Sequence, residues 1–291
     1  MPYQPRIGIL VPSHDHPEAW QTGFARKRLA LAAAGLAVEQ RLWTDPGDLS
    51  GFDLVTPLFA WGYQRDVPRW YALLDQLEGQ RLPVVNPVAL LRWNSDKAYL
   101  SDLAGQGVAV IPTLFFDAFD EACFVSACNS LGTADVVIKP AISAGADGTH
   151  RLLAGDRLPA DAVGQRRLVQ PLMPGIVRDG EFSLFLFDGQ FSHAIVKRPA
   201  VGDFRVQEQF GGQEYPWEPT AAAVDLAAAA LAACTAVPAY ARVDMVGDCD
   251  GALHIMELEL IEPSLFLNFA PDKGAAFAAA ISRAATTATG G

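Results

Sequence analysis

Cysteine is scarce in this 291-residue chain, and Cys123, Cys128, Cys234 and Cys249 form no CxxC pair and no Cys/His spacing suited to zinc. Four thiols in a chain this long do not make a disulfide framework, so they read as reduced and mostly buried. Basic residues are also in the minority, 22 against 33 acidic ones, for a formal charge of −11. That balance argues against nucleic acid as the partner, because binding a phosphate backbone draws on a net basic surface to release counterions. Long apolar runs are missing as well. The opening MPYQPRIGILVPSHDHP has five or six apolar residues before polar punctuation, too few for a signal sequence or a membrane span. The expected location is therefore the cytoplasm, with no membrane partner. Three motifs are absent too: no GxGxxG follows the first apolar run, no GK[ST] closes a phosphate loop, and no GxSxG marks a nucleophile turn.

What is present begins with alternation. RIGILV, VEQRLW, FDLVTPLF and VVN read as strands, separated by helices near 17–34 and over DVPRWYALLDQLEG. Strands alternating with helices imply a parallel sheet, so residues 1–95 are expected to form a Rossmann-like domain that binds ligands beyond the carboxyl ends of its strands. Helix and strand then continue through NSDKAYLSDLAGQG, VAVIPTLFF, DEACFVSACNSLG and DVVIKP, a second unit over 96–169. Beyond it the runs RRLVQPLM, EFSLFLFD, QFSHAIVKRP, YARVDMV and ALHIMELELIE come with few helices between them. The third unit, 170–291, is expected to hold a largely antiparallel sheet covered by Ala-rich helices near 220–235 and 272–288. The fold class is thus α/β followed by α+β.

The segment HIMELELIEP carries the first chemical signal. Strand side chains alternate faces, so Glu257 and Glu259 share one face, about 7 Å apart, while Met256, Leu258 and Leu260 take the other. Asp250-Gly251 is a hairpin signal, and a two-residue loop there sets Asp244 beside Glu257 and Arg242 beside Glu259. Glu262 falls on the opposite parity, at the strand's exit. Two readings are open from this segment alone: a solvated sheet face with Arg–Glu pairing, or a cation site. Close carboxylates repel unless a cation joins them, and an oxygen-only set suits Mg²⁺ or Mn²⁺, whose shell substrate phosphates usually complete. The second reading therefore predicts a nucleotide.

Lysines and glycines add to it. Lys139 ends the apolar strand VVIKP, and the following SAGADGT supplies Gly145 and Gly148, whose freedom lets backbone N–H groups approach phosphate oxygens. Lys97 falls in the first turns of a predicted helix. Lys197 and Arg198 finish the strand QFSHAIVKRP, Arg205 follows, and Glu181 opens EFSLFLF.

Taken in order, NSDKAYL, VVIKP with SAGADGT, LVQPLM, GEFSLFL, VKRP with FRVQEQFGG, ARVDMV and MELELIEP resemble the ATP-grasp superfamily. The similar branch includes D-alanine ligase, bacterial glutathione synthetase and RimK-like ligases. WNSDKAYL, KRPAVGDFRVQEQFGG and MELELIEPSLFL look most like its cycloserine-forming group, the O-ureidoserine cyclo-ligase type. The resemblance implies an ATP-grasp fold behind a Rossmann-like pre-ATP-grasp domain, with ATP and Mg²⁺ or Mn²⁺ as cofactors. It implies that Lys97 and Lys139 contact ATP phosphates, that the segment from Ser143 through Gly145 and Gly148 to Thr149 forms a lid, and that Gln170, Leu172 and Met173 form the adenine hinge. Glu181 would hold the ribose, and Asp244, Glu257 and Glu259 the metal. Lys197, Arg205 and Arg242 would neutralise the transferring phosphoryl group. Two departures stand out, Glu259 where many relatives have Asn and Gln170 where an acid is common.

The implied reaction activates a small carboxylate to an acyl phosphate, which an amine or similar nucleophile attacks, releasing ADP and phosphate. The partners are then small molecules, and a homodimer is the default assembly. An intramolecular cyclase and a non-catalytic ATP-binding regulatory protein are the alternatives. The acceptor is expected where the first strand's loop meets the nucleotide, near Ser13, His14, Asp15 and His16, with Trp61, Tyr63 and Arg198 as further candidates. His193 and His254, inside predicted strands, read as structural.

Overall fold

The computed structural model describes residues 3–289. The chain opens with β1 (Arg6–Val11), α1 (Gln21–Ala33), β2 (Ala37–Leu42), β3 (Leu54–Thr56), α2 (Val67–Gly79), α3 (Val88–Ser95) and α4 (Tyr99–Gly105). Its sheet is parallel in the order β2-β1-β3, as the alternation requires, and VVN joins it only as a single bridge from Val84 to Val55. Helix starts follow local chemistry. The Asp66 carboxylate accepts from the Arg69 N–H to cap α2, and Pro68, which lacks an N–H, sits in its first turn.

β4 (Leu114–Phe116), α5 (Glu121–Leu131), β5 (Asp135–Pro140), β6 (His150–Leu153) and β7 (Arg167–Pro171) build a second sheet. It is antiparallel in the order β4-β7-β5-β6, and β7 straddles the expected 169/170 boundary. The third group is α6 (Gly175–Arg178), β8 (Glu181–Phe187), β9 (Gln190–Arg198), β10 (Gln213–Pro216), α7 (Ala221–Ala232), β11 (Tyr240–Gly247), β12 (Leu253–Glu259) and α8 (Ala275–Thr289). Its antiparallel sheet runs β10-β9-β8-β11-β12.

The third sheet carries the site, and alternation along its strands explains how. One face of β8 and β11 packs Leu184, Leu186, Ala241, Val243 and Met245 under Ala223, Ala227 and Ala230 of α7. The other face changes character along its length. Phe185, Phe187, Ile195 and Tyr240 join Ile7, Ile9 and Leu54 of the first sheet and Phe277 and Ile281 of α8 in one core. Each such fully buried side chain contributes about 1.5–3 kcal/mol, which ties the first and third sheets together. Further along the same face come Glu181, Ser183, Lys197, Arg242 and Asp244, all buried. Val246 then ends β11 in a small apolar cluster with Ile111, Met173, Ile176 and Val206. A single sheet face thus runs from core, through a charged patch, to an apolar end.

Candidate functional site

The charged patch and the apolar cluster line one cavity of about 570 Å³, closed from opposite sides by residues of all three sheets and their loops. Lys97, Lys139, Lys197, Arg205 and Arg242 line it, as do Glu181, Asp244, Glu257 and Glu259. Its apolar end is made by Ile111, Val137, Leu172, Met173, Val246 and Met256. No histidine or cysteine lines it among the described residues.

Glu181, Asp244, Glu257 and Glu259 are each held by a cation. Arg242 forks onto Asp244, with Nε and Nη2 donating at 2.9–3.0 Å, and Nη2 also donates to Glu259. Lys97 Nζ donates to Glu257 Oε1 at 2.5 Å and to the Ser143 carbonyl at 2.8 Å. Lys197 Nζ donates to Glu181 Oε1 at 2.6 Å and lies 3.7 Å from Asp244 Oδ1. Burial raises the Asp244 carboxyl, but Arg242 and Lys197 outweigh it and hold the group below the ordinary range. Burial dominates at Glu259, where desolvation lifts the carboxyl to about 7. Desolvation likewise raises Glu181 and lowers Lys139, the one lysine of the cavity that makes no ion pair among the described residues.

The expected hairpin proves different in its turn and the same at its site. The loop is Cys249-Asp250-Gly251, one residue longer than the Asp-Gly signal suggests, with Gly251 at φ +85° and Asp248 and Ala252 as its closing pair. That shifts the register by one, and a bulge at Met256 shifts it back. Arg242 therefore faces Glu259 and Asp244 faces Glu257, as expected. Met256 does not: the bulge turns it from the Leu258 face into the cavity's apolar end. Glu262 also departs from its expected parity, because β12 ends at Glu259 and the chain turns Glu262 into the same cavity.

Other placements need correcting. Lys97 is not in a helix; it sits in the break between α3 and α4, where Asp96 is extended and the Lys97 N–H donates to the Ala141 carbonyl at 2.8 Å. The break aims its side chain at the loop after β5. In that loop Ser143, Gly145 and Thr149 line the cavity, whereas Gly148 shapes the turn: at φ +65° a Cβ there would sit 2.9 Å from Pro140 Cγ. Gln170 reaches the cavity, but its side-chain Nε2 donates to Thr113 Oγ1 at 3.0 Å. Arg205 is bound by Asp203 and lies over the Phe210 ring. Arg198 lies outside the cavity, over Tyr215. Tyr63 is 4 % exposed against Trp70, in an apolar cluster with Leu10, Val55 and Ile261, so its role is packing. Ser13, His14, Asp15 and His16 stop short of the cavity; the next residues, Pro17, Glu18 and Ala19, line it instead, with Trp61. His193 is structural, stacked on Phe185 and bonded to the Leu265 carbonyl. Cys249 is exposed in the hairpin turn rather than buried.

The expected metal trio is not a tight cluster, since the oxygens of Asp244, Glu257 and Glu259 do not all lie within 4.8 Å of one another. Their chemistry still fits a hard divalent cation, as carboxylates without nitrogen or sulfur ligands. Lys97 bonds Glu257, and Arg242 bonds Asp244 and Glu259. Residues that the sequence reading passed over also line the wall: Gln64, Gln207, Gln209, Glu214 and Ser264. Gln207 and Ser264 lie in loops, Gln64 and Gln209 in single 3-10 turns and Glu214 on the edge strand β10, where composition gives no sign of which way a side chain points.

Comparison with known proteins agrees with this geometry. Residues 9–86 match the family model for the N-terminal domain of the D-cycloserine synthetase DcsG. The chain is 31% identical to the cycloserine biosynthesis protein DcsG of Streptomyces lavendulae over 274 residues, 87% of this chain and 90% of that one. The crystal structure of D-cycloserine synthetase DcsG superposes with a TM-score of 0.84 at 27% identity, covering 96% of this chain and 99% of that one. D-alanine–D-alanine ligase from Bacillus anthracis complexed with ATP shares the fold, at a TM-score of 0.69 and 17% identity over 99% and 97% of the two chains. No helix among the described residues is long and apolar enough to cross a membrane. Sequence, fold and cavity agree: the chain belongs to the family of the cycloserine biosynthesis protein DcsG, and is an ATP-dependent ligase of the ATP-grasp fold.

Proposed function

We propose that the protein uses Mg-ATP to convert a small amino-acid-like carboxylate to an acyl phosphate, which a nitrogen nucleophile then attacks to give an amide-type bond, ADP and phosphate. The observation that carries this reading is the two-ended cavity. An apolar slot between Leu172, Met173, Val246 and Met256 suits a flat base, and it opens directly onto Lys97, Lys139, Lys197 and Arg242. Four cations that line one cavity can stabilise a transferring phosphoryl group by position alone, with no covalent nucleophile. Lys97 and Lys139 would hold phosphates beneath the 143–149 loop, and the backbone near Gln170 and Leu172 would meet the base. Glu181, paired with Lys197, would hold the ribose. Lys197, Arg205 and Arg242 would face the transferred group. Asp244, Glu257 and Glu259 would hold Mg²⁺ or Mn²⁺, which supplies charge screening and alignment of the displacement.

A ring-closing version of the reaction is the second reading. It is favoured by the extent of the likeness to D-cycloserine synthetase, which takes in residues 9–86 by the family model and 96% of the chain by structure. ADP release from Mg-ATP across amino acids and small carboxylic acids, alone and in pairs, tests both. Stimulation by one compound alone supports the cyclase, and stimulation only by a pair supports an intermolecular ligase. Release that no compound stimulates above the ATP-only rate would overturn the proposal.

A further inference from the structure

The loop 143–149 is pinned near both of its ends through backbone carbonyls. Lys97 Nζ donates to the Ser143 carbonyl at 2.8 Å, and Arg167 Nη1 donates to the Gly148 carbonyl at 3.2 Å. Between these points the chain turns through Gly145 and Ala146, both at φ +61°. An L residue such as Ala146 keeps that conformation only where its surroundings fix it. The surroundings here belong to the first domain. Ile142 and Ala144 pack against the cluster of Leu10, Tyr63 and Trp70, and Arg65 Nε donates to Asp147 Oδ2 at 3.0 Å.

Arg65 and Asp147 do not line the cavity, but each directly follows a residue that does, Gln64 and Ala146. Both are half-exposed, and neither has another ion-pair partner among the described residues. A pair so exposed adds little to the stability of a fold. Its place gives it another use. Among the described residues it is the only ion pair that joins the 143–149 loop to residues 1–95. The turn that carries Arg65 also presents Trp61 and Gln64 to the cavity, so the pair ties the loop to the first domain's part of the cavity wall.

We propose that Arg65 and Asp147 are positioning residues: together they form a salt-sensitive latch that holds the 143–149 loop closed over the nucleotide phosphates by tying its middle to the first domain. The inference rests on the nucleotide-binding part of the reading above and adds what closes that end of the site. Lys97 and Arg167 set where the loop begins and ends, and the latch sets how far its middle stands from the cavity. Release of nucleotide then requires the pair to part, and an exposed pair can part without disturbing the core beneath it.

The test exchanges the two charges: Arg65→Asp, Asp147→Arg and the double variant, with Mg-ADP as the probe and its dissociation constant read by titration calorimetry. At about 0.1 M salt each single variant is expected to bind Mg-ADP about fivefold more weakly than wild type, since repulsion replaces the attraction of an exposed pair. The double variant, which restores the pair in reverse, should return to within about twofold of wild type. At about 1 M salt, where screening acts within about 3 Å, the four proteins should converge. Asp147→Arg is the decisive arm. It adds a positive charge beside the phosphates, so general attraction would tighten binding, whereas an opened loop weakens it. Mg-ADP held by Asp147→Arg as tightly as by wild type, or by the double variant no better than by the single ones, overturns the latch while leaving the nucleotide reading intact. Absence of Mg-ADP binding by the wild type overturns the nucleotide reading itself, and the latch with it.

Discussion

Lys27→Met is expected to stabilise the protein, and to do so more at pH 6 than at pH 9.5. Lys27 lies on the buried face of α1, 4 % exposed, with Nζ 4.2 Å from the centroid of the Phe59 ring and no ion-pair partner among the described residues. Burial, followed by repulsion from Arg242 and Arg26, lowers its ammonium from 10.5 to about 7. At about 1.4 kcal/mol for each tenfold change in proton affinity, keeping that charge costs roughly 5 kcal/mol. The cation–π contact returns about 1–2 kcal/mol, so an apolar side chain of similar length gains roughly 3 kcal/mol at pH 6. The sign follows from proton counts. Between about pH 7 and 10.5 the unfolded lysine is protonated and the folded one is not, so wild-type stability rises with pH in that window. Below pH 7 both states carry the proton and the penalty is complete. Urea denaturation of both proteins at pH 6 and pH 9.5 measures the gap, which should narrow by more than half at the higher pH. A variant less stable than wild type at pH 6, or a gap equal at the two pH values, refutes the reasoning.

Glu257→Gln keeps the shape of β12 but removes a charge from the phosphate end; it should lower stimulated ADP release at least 100-fold with little change in thermal midpoint. Asn86→Leu removes a fully buried amide that bonds the backbone of Ala239, Tyr240 and Leu260, leaving those groups without it. A loss of about 3–6 kcal/mol in urea denaturation is expected, and one under 1 kcal/mol would show the three bonds to be dispensable. Gly148→Ala places a Cβ against Pro140 at a positive φ, and should raise KM for ATP several-fold while kcat stays within twofold.

How far the sequence reached varies with the kind of information involved. The parallel opening sheet and the antiparallel closing one were legible because periodicity and helix spacing report burial directly. Asp244, Glu257 and Glu259 were legible because strand parity places alternate residues together. Met256 and Glu262 were not, because one bulge reverses parity and the end of a strand cancels it, and neither leaves a composition mark. Lys97 was found as a residue but misplaced as an element. The helix pattern of NSDKAYL runs through the break that Asp96 makes, and only the Lys97–Ala141 backbone bond shows why the chain stops there. Tyr63 followed a strand and so looked like a site residue; packing on Trp70 claimed it. The loop after β1 reaches the cavity at Pro17–Ala19, four residues beyond the expected Ser13–His16, since a polar loop announces itself without saying which side chains turn inward. The mutual neutralisation of Arg242, Asp244 and Glu259, and of Lys197 and Glu181, is long-range geometry that no local pattern encodes.

The central claim is that the γ-phosphate of ATP passes to a carboxylate of the substrate. The most direct measurement uses the compound that stimulates ADP release, labelled with ¹⁸O in its carboxyl group, and reads the isotope in the phosphate released during turnover. Transfer through an acyl phosphate places one ¹⁸O atom in each phosphate formed. Phosphate that carries only oxygen from water and ATP would contradict the account.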